Sequence, residues 1–315
     1  MTILELDAKS EAPFGDGPFR SQDAWDRGWT RRTLQRALAD ERVRQVFRDV
    51  YVETVAPDTQ ALRLSCVRLV LPPHAVVVDR TAAWLWDVEL ALADAEETQP
   101  LDIFVLSGHS RIERPQIASG ERDLARQDVV TIDGVTVTTP VRTALDLACR
   151  LGRYDAIAML DGFARVRDVT PFDLMAHLPR FRGRRGVIQA RNLVPLLDQR
   201  AESSGESITR LAINDAGLPR PTPQYWIVVG GVPTFRLDLA YPRYKIAVEY
   251  DGYEYHSDPD RRKADEARRT WLRDRGWIVI VVRKDDFGDD ALRAWIGELR
   301  DALSSREHWG RLART

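Results

Sequence analysis

The chain has few of the residues that mark special environments. Only two cysteines, Cys66 and Cys149, occur in 315 residues. Each lies in an apolar, helix-like stretch without a neighbour at metal-ligand spacing, so we expect two reduced, buried thiols and no zinc site. No run approaches the roughly 18 apolar residues that a membrane helix needs. The acidic N-terminus lacks the basic start and apolar core of a signal peptide, which predicts a cytoplasmic protein with no membrane partner.

A strong net charge is also absent, because 46 basic and 48 acidic residues leave −2. Binding to nucleic acid would therefore have to come from local basic patches. The chain is long enough for two or three domains. We predict an α+β / α/β multidomain fold, divided into a flexible tail (1–18), a winged helix-turn-helix (19–53), a mixed α/β middle region (54–199), a C-terminal domain (200–305) and a second tail (306–315).

The winged helix-turn-helix prediction depends on caps and spacing between residues 19 and 53. Ser21 and Thr30 can each cap a helix, and Gly28 ends the first one. An alternating stretch over Val43–Val52, with a turn at Arg48-Asp49, predicts a two-stranded wing. The alternative is a small helical bundle with a solvated arginine face.

Basic and amide side chains of this segment are the predicted DNA contacts. The second helix has an inner apolar stripe, and its other side is polar and basic. In a helix-turn-helix such a second helix enters the major groove. The residues that we expect to contact DNA are Arg31, Arg32, Gln35, Arg36 and Arg48.

The middle region shows no catalytic pattern. Apolar runs predict strands at Leu64–Leu71, Leu101–Leu106 and Val129–Val137. Helices are expected at Arg80–Trp86 and from Pro140, because proline is favoured at the first position of a helix.

Three carboxylates end two neighbouring apolar runs of the C-terminal domain. Asp238 lies near the end of one run, and Glu249 and Asp251 end the next. Residues two apart on a strand share a face, so Glu249 and Asp251 point the same way. If the two strands pair, the three acids converge at one end of a sheet, where hard divalent cations are held. The pattern predicts a metal-dependent phosphodiesterase.

Several phrases between Ser204 and Val282 resemble the Vsr-like endonuclease domains of the PD-(D/E)xK superfamily: SSGES, RLDLAYP, AVEYDG followed by His256, and GWIVIVV. The resemblance implies an αβββαβ core and a DNA endonuclease that uses Mg²⁺ (or Mn²⁺) to polarise the phosphodiester and activate water. It implies Asp238, Glu249 and Glu206 as metal ligands, with Asp251 and His256 assisting. Asp251 stands where that pattern has lysine, so His256, Lys263 or the metal alone would activate the water.

The phrases VFRDVYV, RTAAWLW and TPVRTALDLA resemble actinobacterial-type proteins whose start is similar to the AbiEi antitoxin of type IV toxin–antitoxin systems. In the wing turn, Asp49 replaces the glycine that is usual in those proteins. Two functions follow. One is a divalent-metal-dependent endonuclease that its winged helix-turn-helix places on duplex DNA. The other is an antitoxin or transcriptional regulator, with or without a cognate toxin, whose nuclease-like domain is inactive.

Overall fold

The computed structural model describes residues 14–15, 17–72, 74–88, 101–106, 108, 117–252 and 259–312. The chain divides into two compact units. Unit 1 comprises residues 1–88 and 94–143, and unit 2 comprises residues 89–93 and 144–315. The division lies inside a helix, between Thr143 and Ala144.

Unit 1 begins with the predicted order of helix, helix and ribbon. These elements are α1 (Ser21–Asp26), α2 (Arg31–Ala39), β1 (Val43–Phe47) and β2 (Val50–Glu53), and the two strands are antiparallel. Thr30 caps α2, since its hydroxyl accepts a hydrogen bond from the backbone N–H of Thr33 at 3.1 Å. Leu34 and Ala37 are buried, as the helical spacing predicts.

The turn between β1 and β2 explains how aspartate replaces glycine there. Asp49 has a φ of +64°, a left-handed conformation that glycine and, among other residues, aspartate and asparagine adopt most readily. Its carboxylate accepts hydrogen bonds from the backbone N–H of Ser21 at 3.1 Å and from the Ser21 hydroxyl. Asp49 thus holds the ribbon against the start of α1, which a glycine could not do.

The rest of unit 1 is a mixed sheet with helices. Its elements are α3 (Gln60–Val70), β3 (Ala75–Val77), α4 (Asp79–Leu85), β4 (Leu101–Leu106), β5 (Ile117–Ala118), β6 (Glu121–Arg122), β7 (Val129–Ile132) and β8 (Val135–Thr138). The strand order is β5-β4-β3-β8-β7, with β6 also on β4. The strand predicted at Leu64–Leu71 is wrong: Thr59 caps a helix there. The stretch Val129–Val137 is a hairpin, because Asp133 and Gly134 turn the chain with positive φ.

Unit 2 begins with helices, two of which are joined by a buried ion pair. They are α5 (Pro140–Arg150, whose first turn belongs to unit 1), α6 (Arg153–Arg167), α7 (Pro171–His177), α8 (Val187–Leu193) and α9 (Ser204–Asp215). Asp161 of α6 is fully buried, and its carboxylate pairs with Arg210 of α9. Arg153 and Asp215 form a forked pair between the same helices, at 2.6 and 2.7 Å.

The C-terminal sheet has the element order that the sequence predicts. Its elements are β9 (Thr222–Val229), β10 (Val232–Tyr241), β11 (Ile246–Asp251), α10 (Pro259–Asp274), β12 (Ile278–Arg283) and α11 (Asp289–Leu312). The strand order is β12-β11-β10-β9. Strands β11 and β12 are parallel, joined by α10, and the other neighbours are antiparallel. Gly230 and Gly231, both with positive φ, form the two-residue turn between β9 and β10.

Both cysteines lie in helices, Cys66 buried in α3 and Cys149 half-buried in α5. Burial raises the pKa of the Cys66 thiol to about 11, so it stays protonated. No helix in the described part of the chain has the length and apolar character needed to cross a membrane.

Candidate functional site

The candidate site is built around Asp238 of β10. At this residue the alternation of side chains between the two faces of the sheet is interrupted. Leu237 and Ala240, three residues apart, pack in one hydrophobic cluster, whereas Leu239 lies in the other. Regular alternation would put Leu237 and Leu239 on the same face, so the facing of the side chains changes between them although the pairing of β10 with β9 stays in register. The Asp238 carboxylate accepts a hydrogen bond from the backbone N–H of Tyr250 on β11 at 3.0 Å. The side chain thus lies between the two strands at the end of their ladder.

Glu206 enters the site from the first turn of α9. Ser203 is the cap of α9: Ser203 Oγ accepts from the Glu206 N–H at 3.2 Å and donates to Glu206 Oε1 at 3.0 Å. Glu206 Oε2 accepts from the backbone N–H of Glu202 at 3.0 Å and from Gln224 Nε2 at 2.7 Å. The buried Glu206 carboxylate is therefore satisfied by three hydrogen-bond donors.

A close approach between α9 and β11 positions Glu206. A side chain at Gly205 would put its Cβ 2.0 Å from the Tyr250 ring, so only glycine allows this packing. The Tyr250 ring in turn stacks on Phe287, with centroids 6.2 Å apart. The first turn of α9 is thereby held at the end of β11 that also bears Glu249 and Asp251.

Glu249 and Asp251 are paired with two consecutive arginines of α10. Both oxygens of Glu249 accept hydrogen bonds from Arg268, at 2.7 and 2.9 Å. Arg269 donates to Asp251 at 3.0 Å, and its Nε lies 3.7 Å from Glu249. As predicted, Glu249 and Asp251 lie on one face of β11, but that face is covered by a basic helix.

The carboxylates interact with one another electrostatically. Burial, together with the charges of Glu206 and Glu249, raises the pKa of Asp238 to about 7. The Tyr250 N–H and Arg268 oppose that rise. The charges of Glu206 and Glu249 thus both act on Asp238.

The described side chains, as arranged, do not fit a divalent cation. Among them, no group of three or more His, Cys, Asp or Glu is placed to hold a metal ion. Glu249 already accepts from Arg268 with both oxygens, and Glu206 is occupied by its capping interactions. His256, the predicted assisting base, lies outside the described residues. Lys263 lies on the exposed part of α10. The Mg²⁺ site remains a prediction.

Sequence reasoning missed three residues of this site. Arg268 and Arg269 lie four and three positions before the buried Leu272, a helical spacing that points them inward and could have identified them. Gln224 has a φ of +51° within β9, and its buried Oε1 has no hydrogen-bond partner among the described residues. No local sequence signal marks Gln224, since its partner Glu206 comes 18 residues earlier.

The predicted DNA-contacting residues are all exposed in unit 1. Arg31, Arg32, Gln35 and Arg36 lie on the outer side of α2, and Arg48 lies in the turn between β1 and β2. Arg36 pairs with Asp40 at 3.8 Å in an exposed position, an interaction of little energetic weight. The arrangement gives α2 a basic outer surface.

The contact between Gly205 and Tyr250 generates a first prediction. Gly205→Ala should destabilise the protein by about 1–3 kcal/mol, because the added methyl group overlaps the ring. Gly297→Ala in α11 is the matched control: its methyl group meets no atom within 4 Å, and it should be neutral or stabilising by up to about 1 kcal/mol. Equal effects of the two substitutions on the thermal unfolding midpoint would contradict the packing.

The raised pKa of Asp238 generates a second prediction. Because the folded state binds this proton more tightly than the unfolded state, the resulting stability is fully present below about pH 4 and is lost as the pH rises through about 7. Asp238→Asn should therefore gain stability over the wild type between about pH 5 and pH 8, on the order of 1–2 kcal/mol after solvent screening. Thermal melts across this range measure it, and a gain that stays constant would refute the raised pKa.

Residues 74–196 match the AbiEi antitoxin C-terminal domain. This range contains RTAAWLW and TPVRTALDLA, which confirms the antitoxin resemblance there. Two proteins of Mycobacterium tuberculosis, Uncharacterized protein MT2308 (strain CDC 1551 / Oshkosh) and Uncharacterized protein Rv2248 (strain ATCC 25618 / H37Rv), are similar to this chain. Each is 33% identical over 224 residues, which covers 71% of this chain and 80% of the relative.

Among solved structures, the crystal structure of RV2827C protein from Mycobacterium tuberculosis matches 57% of this chain and 71% of its own, at 14% identity and a TM-score of 0.32. That score is too low to support an argument about the fold. The identity and coverage of the two relatives are sufficient to define a family. The chain therefore belongs to the family of these two mycobacterial proteins and carries an AbiEi antitoxin C-terminal domain at residues 74–196.

Proposed function

We propose that the chain is an AbiEi-type antitoxin that acts as a DNA-binding transcriptional regulator. The observation that carries this proposal is the match of residues 74–196 to the AbiEi antitoxin C-terminal domain. The helix, helix and ribbon of residues 19–53 supply a DNA-binding element of the winged helix-turn-helix type. The C-terminal αβββαβ region has a nuclease-like order of elements and, in this proposal, does not cleave DNA.

The proposed DNA contact runs through the outer side of α2. Arg32, Gln35 and Arg36 lie one turn or less apart and would reach base edges in the major groove, where arginine recognises guanine and glutamine recognises adenine. Arg31 and Arg48 would contact phosphates, which fix the position of the protein on the duplex. The chain as a whole has a net charge of −2, so binding depends on this local surface.

The pairing of Glu249 and Asp251 with Arg268 and Arg269 favours a C-terminal region that does not cleave. A nuclease needs carboxylate oxygens that are free to hold a metal ion, and both oxygens of Glu249 accept from a guanidinium instead. The same region would then serve as a folded platform.

A test of the regulator is binding to duplex DNA from the promoter of the chain's own gene. Arg32→Ala and Arg36→Ala should each weaken specific binding by about 1–3 kcal/mol, because each removes a base contact. Arg48→Ala should weaken binding to every DNA sequence to a similar extent, because it removes a phosphate contact. The slope of log affinity against log salt concentration should fall by about one. Arg293→Ala, an exposed arginine of α11, is the control. Electrophoretic mobility shifts measure these affinities; unchanged binding by the α2 variants would refute the proposed DNA surface.

A second candidate function is a divalent-metal-dependent endonuclease. The observation that favours it is the electrostatic coupling of Asp238 to Glu206 and Glu249 at one end of the sheet. A carboxylate with a raised pKa among neighbouring acids, as Asp238 is here, is typical of functional sites. For this candidate, Glu249 must first be released from Arg268.

Plasmid nicking decides for or against this second candidate. With Mg²⁺ or Mn²⁺ present, the wild type should nick supercoiled DNA and Asp238→Ala should lose the activity, since Asp238 is the central predicted ligand. Asp274→Ala, an exposed acid on α10, should behave as the wild type. The endonuclease would be ruled out if Asp238→Ala still nicks DNA. It would also be ruled out if the wild type nicks DNA neither with Mg²⁺ nor with Mn²⁺.

A further inference from the structure

We infer that Arg268 is the resident cation of the carboxylate site, and that its pairing with Glu249 excludes a divalent metal ion from that site. The inference concerns unit 2 alone and does not depend on the proposed DNA binding of residues 19–53. It states what occupies the position where the sequence pattern predicts Mg²⁺.

The pairing has the geometry of a strong, specific interaction. The two N–H···O distances of 2.7 and 2.9 Å join both guanidinium ends of Arg268 to both oxygens of Glu249. The Glu249 side chain is 4% exposed, so water competes little for it. Such a fork uses the oxygens that a metal ion would need, because a forked arginine and a cation approach a carboxylate from the same side.

Arg269 adds a second positive charge on the same face of β11. Its guanidinium donates to Asp251 at 3.0 Å, and its buried Nε, which has no hydrogen-bond partner among the described residues, lies 3.7 Å from Glu249. Two arginines therefore meet two carboxylates that share one face of β11. A divalent cation entering here would be repelled by two guanidinium charges at close range.

The helix that carries the arginines is anchored independently of them. Leu272 is fully buried, and the ring of Trp271 contacts Phe235 with centroids 5.0 Å apart. These contacts fix α10 against the sheet, so Arg268 and Arg269 are delivered to the carboxylates by a packed helix. The cation is thus built into the fold.

Removing the arginine has a defined consequence. Without Arg268, the buried Glu249 keeps only the 3.7 Å contact with Arg269 Nε, so most of its charge is uncompensated, which is destabilising. In the folded chain, the Glu249 carboxylate can be neutralised by binding a proton or an added cation. Loss of Arg268 should therefore create the metal affinity that the wild type lacks.

The test is a titration of the full chain with Mn²⁺ and with Mg²⁺. Calorimetry measures metal binding, and the thermal unfolding midpoint measures the stability at each metal concentration. The wild type should show no saturable binding at millimolar metal and no shift of its midpoint. Arg268→Met should melt at lower temperature, recover when Mn²⁺ is added, and bind Mn²⁺ at least about tenfold more tightly than the wild type. Arg268→Gln serves as a second variant if Arg268→Met does not fold.

Two controls separate this effect from general damage to α10. In Arg268→Met/Glu249→Gln the uncompensated charge is absent, so stability should recover without metal. Arg273→Met breaks only the exposed pair with Glu266, 3.0 Å long, and should neither melt early nor gain metal affinity. Submillimolar binding by the wild type, or no gain in either Arg268 variant, would overturn the inference. Promoter binding, measured in parallel, reports separately on the proposed function.

Discussion

Pairing between carboxylates and arginines, with at least one partner of each pair buried, is the interaction on which both units depend. In unit 1, Arg63 pairs with Asp58 at 2.8 Å, Arg122 with Asp79 at 2.8 Å, and Arg142 with Asp128 at 2.8 Å. In unit 2, Arg210 pairs with Asp161 and Arg268 with Glu249. Arginine suits this role because its planar guanidinium matches a carboxylate at two points, whereas the chain has only the lysines Lys9, Lys245, Lys263 and Lys284.

Such pairs determine arrangement more than they add stability. The cost of burying two charges offsets most of their attraction, but a buried charge left without its partner is strongly destabilising. Each pair therefore selects the one packing in which its two elements meet. At the candidate site such pairing also affects the chemistry. Arg268 and Arg269 compensate the charges of Glu249 and Asp251, which the sequence pattern predicts as part of a metal site.

Local signals in the sequence predict much of the fold and only part of the site. The Thr30 cap predicts α2, Gly28 predicts the end of α1, and apolar runs predict β9 to β12, because these signals act within a few residues. The cap predicted at Ser21 is wrong, since Ser21 is the first residue of α1 and Arg20 holds the N-cap position. The run Leu64–Leu71 is a helix despite its strand-like composition, since short apolar runs are ambiguous. The convergence of Asp238 and Glu249 follows from strand ends, but the fork to Arg268 joins residues 19 apart in sequence and depends on the rotation of α10.

The packing of α6 against α9 limits where this chain can be truncated or recombined. The antitoxin match ends at residue 196, whereas unit 2 continues from residue 144 through the sheet. A chain that stopped after the matched domain would keep Asp161 and lose Arg210, and one that began there would do the reverse. Either cut would separate the two charges and expose the helix faces that now cover them. A junction or a premature stop at that boundary would thus divide one compact unit, because unit 2 includes residues on both sides of it.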